Sequence, residues 1–324
     1  MKKDYGYKGA IPQEVSPRDD AFHGLTKSKT SEWWYFEAVL DNDYSVVFSF
    51  TTSLKNLIVF PTIEIYKNGK FEKRAIKRYL SSDFQASEHF PYVKLLDKKI
   101  IEFDREKFKD KGEWIYHIST KINNYEVDLT FTGITTGWKF ERQTESWIVA
   151  LPKAVVTGEI VINGNSMKVN GIGYHDHNYV SNLSTALNVW GWFWGKIASK
   201  TLNVSWANIV RKSSNEEKLA VVNKDNEGFF VISPENIHFK TNNYIRNHWR
   251  KMPTSYTIKI DDIINDTPIR VDVNMNVKNI HRRFKRLPIA PYWRYHVEAK
   301  GYISLGSHKE TVNDTQIMEF FRLI

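Results

Sequence analysis

Asn68-Gly69 divides two runs of β-branched and aromatic residues, 62–66 and 71–79. Both central positions of a type I′ turn need φ > 0, which Asn and Gly tolerate, so this pair predicts a tight hairpin. Similar arrangements recur along the first half. Segments 37–40 and 45–52 flank Asp41-Asn42-Asp43, 114–120 and 125–132 flank Ile122-Asn123-Asn124, and 154–162 and 166–173 flank Asn163-Gly164-Asn165. No long, capped run with helical period interrupts them. The second half has the same style. Segments 201–210, 218–222, 228–232, 255–260, 269–277, 293–305 and 316–323 read as strands, separated by turns such as 223–228 and 261–268. Short strands at this spacing predict an all-β sandwich or barrel.

The chain has 324 residues, and single cores stop growing near ~250–300 residues. Two domains follow, with the strand pattern lost around 180–190. The expected division is 1–185 and 186–324.

With no cysteine in the chain, disulfides, thiolate metal sites and cysteine nucleophiles are excluded. The opening MKKDYGYKGAIPQ has no apolar stretch behind its lysines, and no run approaches ~18 apolar residues. A cytoplasmic location is expected. The formal charge is +9, partly clustered in 246–251 and 278–286. These clusters read as solvated loops in the second half, away from the aromatic motifs, so no nucleic-acid partner is expected. The second runs into the aromatic segment 287–293, which suits at most a weak peripheral membrane contact.

Three segments carry candidate chemistry. In Ser31-Glu32-Trp33-Trp34-Tyr35-Phe36-Glu37, four consecutive aromatics cannot share one face of a strand. One face packs on a core, and the other meets a second apolar layer, a ligand or solvent. In 171–179 (GIGYHDHNY), strand alternation puts Tyr174, Asp176 and Asn178 on one side and His175 and His177 on the other. The first side offers a carboxyl between a phenol and an amide. The second offers an H-x-H pair, which can chelate a metal, although a metal-free polar cluster is the expectation adopted. The third segment begins at Glu145-Ser146-Trp147 and continues in Trp190, Trp192 and Trp194, whose i, i+2, i+4 spacing predicts one indole face. A continuous tryptophan face is either core or the wall of an apolar ligand site.

EWWYFE, the stretch from Trp147 to Pro152, GIGYHDHNY and WGWFWG together resemble the hydroxyneurosporene synthase (carotenoid 1,2-hydratase)/AttH-like family, which is similar in fold to lipocalin-like Diels–Alderases. The resemblance covers most of the chain. It implies two lipocalin-like antiparallel β-barrel domains packed side by side, with a hydrophobic pocket at or near their junction. It also implies that the acidic residue of the Y-x-D motif, here Asp176 beside Tyr174, is catalytic. The family's H-x-W pair falls at 145–147, where Trp147 matches but Glu145 replaces the histidine. Val180 replaces a usual glycine.

The expected function is an enzyme acting on an isoprenoid- or polyene-like molecule by acid-catalysed hydration or cyclisation of an alkene. Burial among apolar rings favours the neutral form of a carboxyl, making Asp176 the expected proton donor. Tyr174 stands beside it, and Glu145 or His177 would orient water as base. The expected substrate contacts are Trp33, Trp34, Tyr35, Trp147, Asn178, Trp190, Trp192 and Trp194. No cofactor and no metal are expected, the partner is the hydrophobic substrate, and the assembly is a monomer or homodimer. The rival reading is a non-catalytic lipid or hydrophobic small-molecule binding protein, which needs the pocket but not Asp176.

Overall fold

The computed structural model describes residues 11–24, 31–53, 57–142, 144–181, 188–212, 216–247, 250–282 and 292–322. It divides into a unit of Pro12–Ala186 and a unit built on Leu187–Ile324. The boundary expected at 185/186 lies outside the described residues, as do 283–286 of the second basic segment and 287–291 after it.

The described strands of the first unit are β1 (Gln13–Glu14), β2 (Ser31–Leu40), β3 (Tyr44–Ser53), β4 (Ile58–Lys67), β5 (Lys70–Ile76), β6 (Tyr79–Leu80), β7 (Phe84–Ala86), β8 (Tyr92–Leu95), β9 (Lys98–Phe103), β10 (Ile115–Ile122), β11 (Tyr125–Gly133), β12 (Trp138–Glu141), β13 (Ser146–Ile162) and β14 (Asn165–Val180). They form one antiparallel sheet in the order β5-β4-β3-β2-β14-β13-β11-β10-β9-β8-β7, with β1, β6 and β12 attached at its sides. The hairpins follow from backbone chemistry. Asn68 and Gly69 have φ of 50° and 71°, and Asn163 and Gly164 have 53° and 85°. One side of the curled sheet encloses a contiguous core, including Trp34 and Phe36 of β2, Phe48 and Phe50 of β3, Tyr116 of β10 and Phe131 of β11. A short helix, α1 (Arg105–Lys111), is capped by the Asp104 carboxylate, which accepts from Lys107 N at 2.9 Å.

The second unit contains β15 (Val189–Ala198), β16 (Leu202–Arg211), β17 (Glu216–Lys224), β18 (Phe229–Val231), β19 (Ile237–Asn247), β20 (Arg250–Ile264), β21 (Thr267–Arg282), β22 (Tyr292–Leu305) and β23 (His308–Arg322). They form an antiparallel sheet in the order β18-β17-β16-β15-β23-β22-β21-β20-β19 around a separate core of Trp206, Tyr256, Trp293, Tyr295 and their neighbours. The segment read as a turn at 261–268 is mostly strand. Its turn is Asn265-Asp266, both with positive φ (48° and 61°), because β-branched Ile263 and Ile264 prolong β20. β19 had no strand signal in sequence, since most of its residues are exposed and polar. Both sheets have the lipocalin-like, all-β character expected. No helix among the described residues is long and apolar enough to cross a membrane.

Candidate functional site

β14 lies between β2 and β13, and the register sets what meets what. Asp176 stands opposite Tyr35 and Tyr174 opposite Glu37, while Asn178 is opposite Trp33. Since Trp34 and Phe36 point into the core, alternation turns Trp33, Tyr35 and Glu37 to the other side of the sheet, together with Tyr174, Asp176 and Asn178.

On that side Asp176 is the centre of a buried cluster. Its Oδ2 accepts from the Tyr174 hydroxyl at 2.8 Å and from Trp147 Nε1 at 3.1 Å, and its Oδ1 accepts from Asn178 Nδ2 at 2.9 Å. Trp147 Nε1 is also 3.2 Å from the Tyr174 oxygen. On the next strand the Tyr35 hydroxyl donates to Glu37 Oε2 at 2.6 Å. Burial raises the Tyr174 hydroxyl well above the ordinary tyrosine range, and the negative charges of Asp176 and Glu37 push it the same way. It remains a neutral donor.

The opposite face of β14 has a different task. His175 stacks on Phe36 with centroids 3.8 Å apart, and its two nitrogens lie 3.0 Å from the Tyr35 carbonyl and 3.0 Å from Asp20 Oδ2. His177 reaches the Asp20 carbonyl at 3.1 Å and Glu32 Oε1 at 2.8 Å. The Tyr116 hydroxyl and Trp34 Nε1 also converge on Asp20. Burial alone would raise the Asp20 carboxyl, but His175 and His177 outweigh it and hold the group below its usual range. Burial alone would likewise lower His177, yet hydrogen bonds and charge from Asp20 and Glu32 push it up to about 9.

The structure separates two of the expected site residues from Asp176. His177 does not share a face with Asp176, because residues one apart on a strand point to opposite sides, so it is not placed to orient water there. Trp34 is a fully buried core residue stacked on His177 at 4.2 Å, on the face of β2 turned away from Asp176. Glu145 bridges to Val180 at the start of β13 and pairs with Arg142 at 2.8 Å. Trp33, Tyr35, Trp147 and Asn178 do gather around Asp176 or its cross-strand neighbours. Trp192 and Trp194 lie in the second unit: Trp192 stacks on Phe321 at 4.3 Å, and Trp194 pairs across strands with Glu319. A register shift between Val189 and Gly191 falls at Trp190 itself, so a single face for all three indoles does not follow. An open cleft of about 1010 Å³ beside α1, lined by Phe90, Tyr92, Arg105 and Phe108 among others, shares no lining residue with the Asp176 cluster.

No protein-family model and no curated protein sequence matches the chain. Solved structures do. A Nitrosomonas europaea protein assigned as an AttH superposes with a TM-score of 0.67 at 15% identity, over 95% of this chain and 96% of that one. The fold is AttH-like.

CghA in complex with Sch210972 matches at a TM-score of 0.63 and 8% identity, over 97% of this chain and 98% of that one. Kievitone hydratase from Nectria haematococca matches at 0.61 and 11%, over 95% and 93%. Glu37 in one polar cluster, and Asp20, Glu32 and Tyr116 in the other, are residues that sequence reasoning left out. Glu37 had a usable signal, since it lies two positions from Tyr35 and so on the same strand face. Asp20 had none, because it reaches β14 from 155 residues away.

Proposed function

We propose that this protein is an enzyme that hydrates or cyclises an alkene in a hydrophobic, isoprenoid- or polyene-like small molecule, with Asp176 as the proton donor. The observation that carries this reading is a buried carboxyl held at both oxygens by Tyr174, Trp147 and Asn178. Such a group is pre-oriented; it accepts three hydrogen bonds, so it takes up a proton before it passes one to the alkene. Protonation of an unactivated alkene leaves a carbocation. The π faces of Trp147, Tyr174 and Tyr35 would stabilise it by ~0.5–2 kcal/mol each in a desolvated site. For hydration, water then adds to the cation and loses its proton. For cyclisation, a second double bond or hydroxyl of the substrate takes the place of water. The interior of the first unit is filled by aromatic side chains, which supports substrate use of the Asp176 side of the sheet. Among proteins of like fold, one is named a hydratase and another was crystallised with a small molecule.

A second reading, a binding protein without chemistry, is favoured by one observation. The polar atoms of the cluster are bonded to one another, which a purely structural network would also do. The experiment that separates the two starts with native mass spectrometry before and after organic extraction, to identify a bound hydrophobic molecule. That molecule is then incubated with the protein in D2O. Deuterium appearing on carbon in the wild type, and absent in Asp176→Asn with the ligand still bound, supports the enzyme. A ligand recovered unchanged supports the carrier. Full activity in Asp176→Asn removes Asp176 from the mechanism.

A further inference from the structure

On the core side of β2 and β14, His23, Glu32 and His177 bring three ligand atoms within 4.8 Å of one another. Glu32 Oε1 lies 2.8 Å from His177 Nε2 and 2.9 Å from His23 Nδ1. The other carboxylate oxygen, Oε2, is buried and accepts no hydrogen bond among the described residues. A buried carboxylate oxygen without a partner is costly and asks for an explanation.

The His177 ring is also oriented from behind. Its Nδ1 faces the Asp20 carbonyl at 3.1 Å and Asp20 Oδ1 at 3.4 Å. A carbonyl only accepts, so Nδ1 carries a proton and Nε2 is the nitrogen turned towards Glu32. Metal-ligating histidines are held in this way, with one ring nitrogen on a carbonyl or carboxylate and the other on the ion. Two imidazole nitrogens and a carboxylate oxygen suit a zinc-class cation and leave one coordination position open.

We propose that His23, Glu32 and His177 form a binding site for a divalent transition-metal cation of the zinc class, with Asp20 orienting His177 from the outer shell. The cation takes the place of the protons that now lie between Glu32 and the two imidazoles, so binding releases protons. Bond lengths of about 2.0–2.2 Å in tetrahedral geometry require the three donor atoms to move apart by about half an ångström. His23 is the least buried of the three, with 8% of its side chain exposed, and its backbone N–H also donates to Glu32 Oε1 at 3.0 Å. The site is independent of the Asp176 chemistry, because His177 faces the other way on β14. Its effect would be structural, tying the segment that carries Asp20 and His23 to the central strands.

The test uses the full chain, stripped with a chelator and dialysed against ZnCl2, with metal content read by elemental mass spectrometry and coordination by the visible bands of a Co2+ substitute. The expected result is one zinc per chain, four-coordinate cobalt bands, and a 10–100-fold loss of affinity in Asp20→Asn. His23→Ala should lose stoichiometric uptake while Asp176→Asn keeps it. His23→Ala carries the test even where Glu32→Gln does not fold, because His23 is the least buried of the three. No stoichiometric uptake by the wild type, or uptake unchanged in His23→Ala, overturns the proposal.

Discussion

Tyr174 donates a 2.8 Å hydrogen bond to Asp176 two residues along its own strand, and the neighbouring strand carries the same kind of pair, Tyr35 to Glu37 at 2.6 Å. Antiparallel register sets Tyr174 against Glu37 and Tyr35 against Asp176, so two phenol–carboxylate pairs lie head to tail.

Removing the Tyr174 hydroxyl in Tyr174→Phe leaves the ring in place and takes one donor from a buried carboxylate. A hydrogen bond to a charged group contributes ~1.5–3 kcal/mol, and Trp147 and Asn178 remain as partners. The expected loss is ~1–2 kcal/mol in urea denaturation, read as a shift in midpoint at constant slope. An unchanged midpoint would mean that the Tyr174 bond contributes nothing to the fold.

Adjacent tryptophans should behave oppositely. Trp34 is fully buried, with its Nε1 donating to the Asp20 carbonyl at 3.2 Å, so Trp34→Ala should cost ~3–5 kcal/mol. Trp33 points away from the core, and Trp33→Ala should cost under about 1 kcal/mol while weakening retention of a hydrophobic ligand. Equal destabilisation in the two variants would contradict the assignment of faces.

Gly171 sits where β14 approaches β2 so closely that a Cβ would overlap the Val39 carbonyl oxygen. Backbone is the obstacle, so relief requires the strands to part. Gly171→Ala should cost ~1–3 kcal/mol and should perturb the Tyr174–Asp176 pair three to five residues further on, visible as a change in near-ultraviolet circular dichroism of the tryptophan and tyrosine bands. A silent substitution would show that the strands separate freely.

His296 on β22 gives the second unit an acid sensitivity. Burial lowers it first, and the nearby charges of Arg294 and His281 lower it further, to about 3 from 6.5; its cross-strand neighbours Asn279 and Ile317 carry no charge to offset them. A histidine whose folded value lies below its unfolded one is neutral in the fold. Its contribution is therefore intact above pH 6.5 and is lost as pH falls towards 3, at up to ~1 kcal/mol for each pH unit. His296→Asn should flatten the decline in stability between pH 6 and 4, measured by denaturation at each pH. An unaltered slope would assign the acid sensitivity to other groups.

How much of this was legible beforehand depends on the range of the interaction. The hairpins at Asn68-Gly69 and Asn163-Gly164 were readable because left-handed backbone is a local property of those residues. The division of Tyr174, Asp176 and Asn178 from His175 and His177 was readable because a strand's side-chain period is two. The strand at Ile237–Asn247 was not readable, because an exposed edge carries few apolar residues to mark it.

The sequence by itself determined the strands, the turns and which side chains share a face, since each depends on neighbours a few positions apart. Only the tertiary structure decided which face became core, so that Trp34 and His177 were buried with Asp20 while Trp33 and Asp176 turned the other way. It also decided that Trp147 would reach Asp176 from 29 residues away, and Asp20 would reach His175 from 155. Those partners are chosen by sheet order and curvature, which bring distant strands together through the packing of the whole core, and no local pattern encodes them.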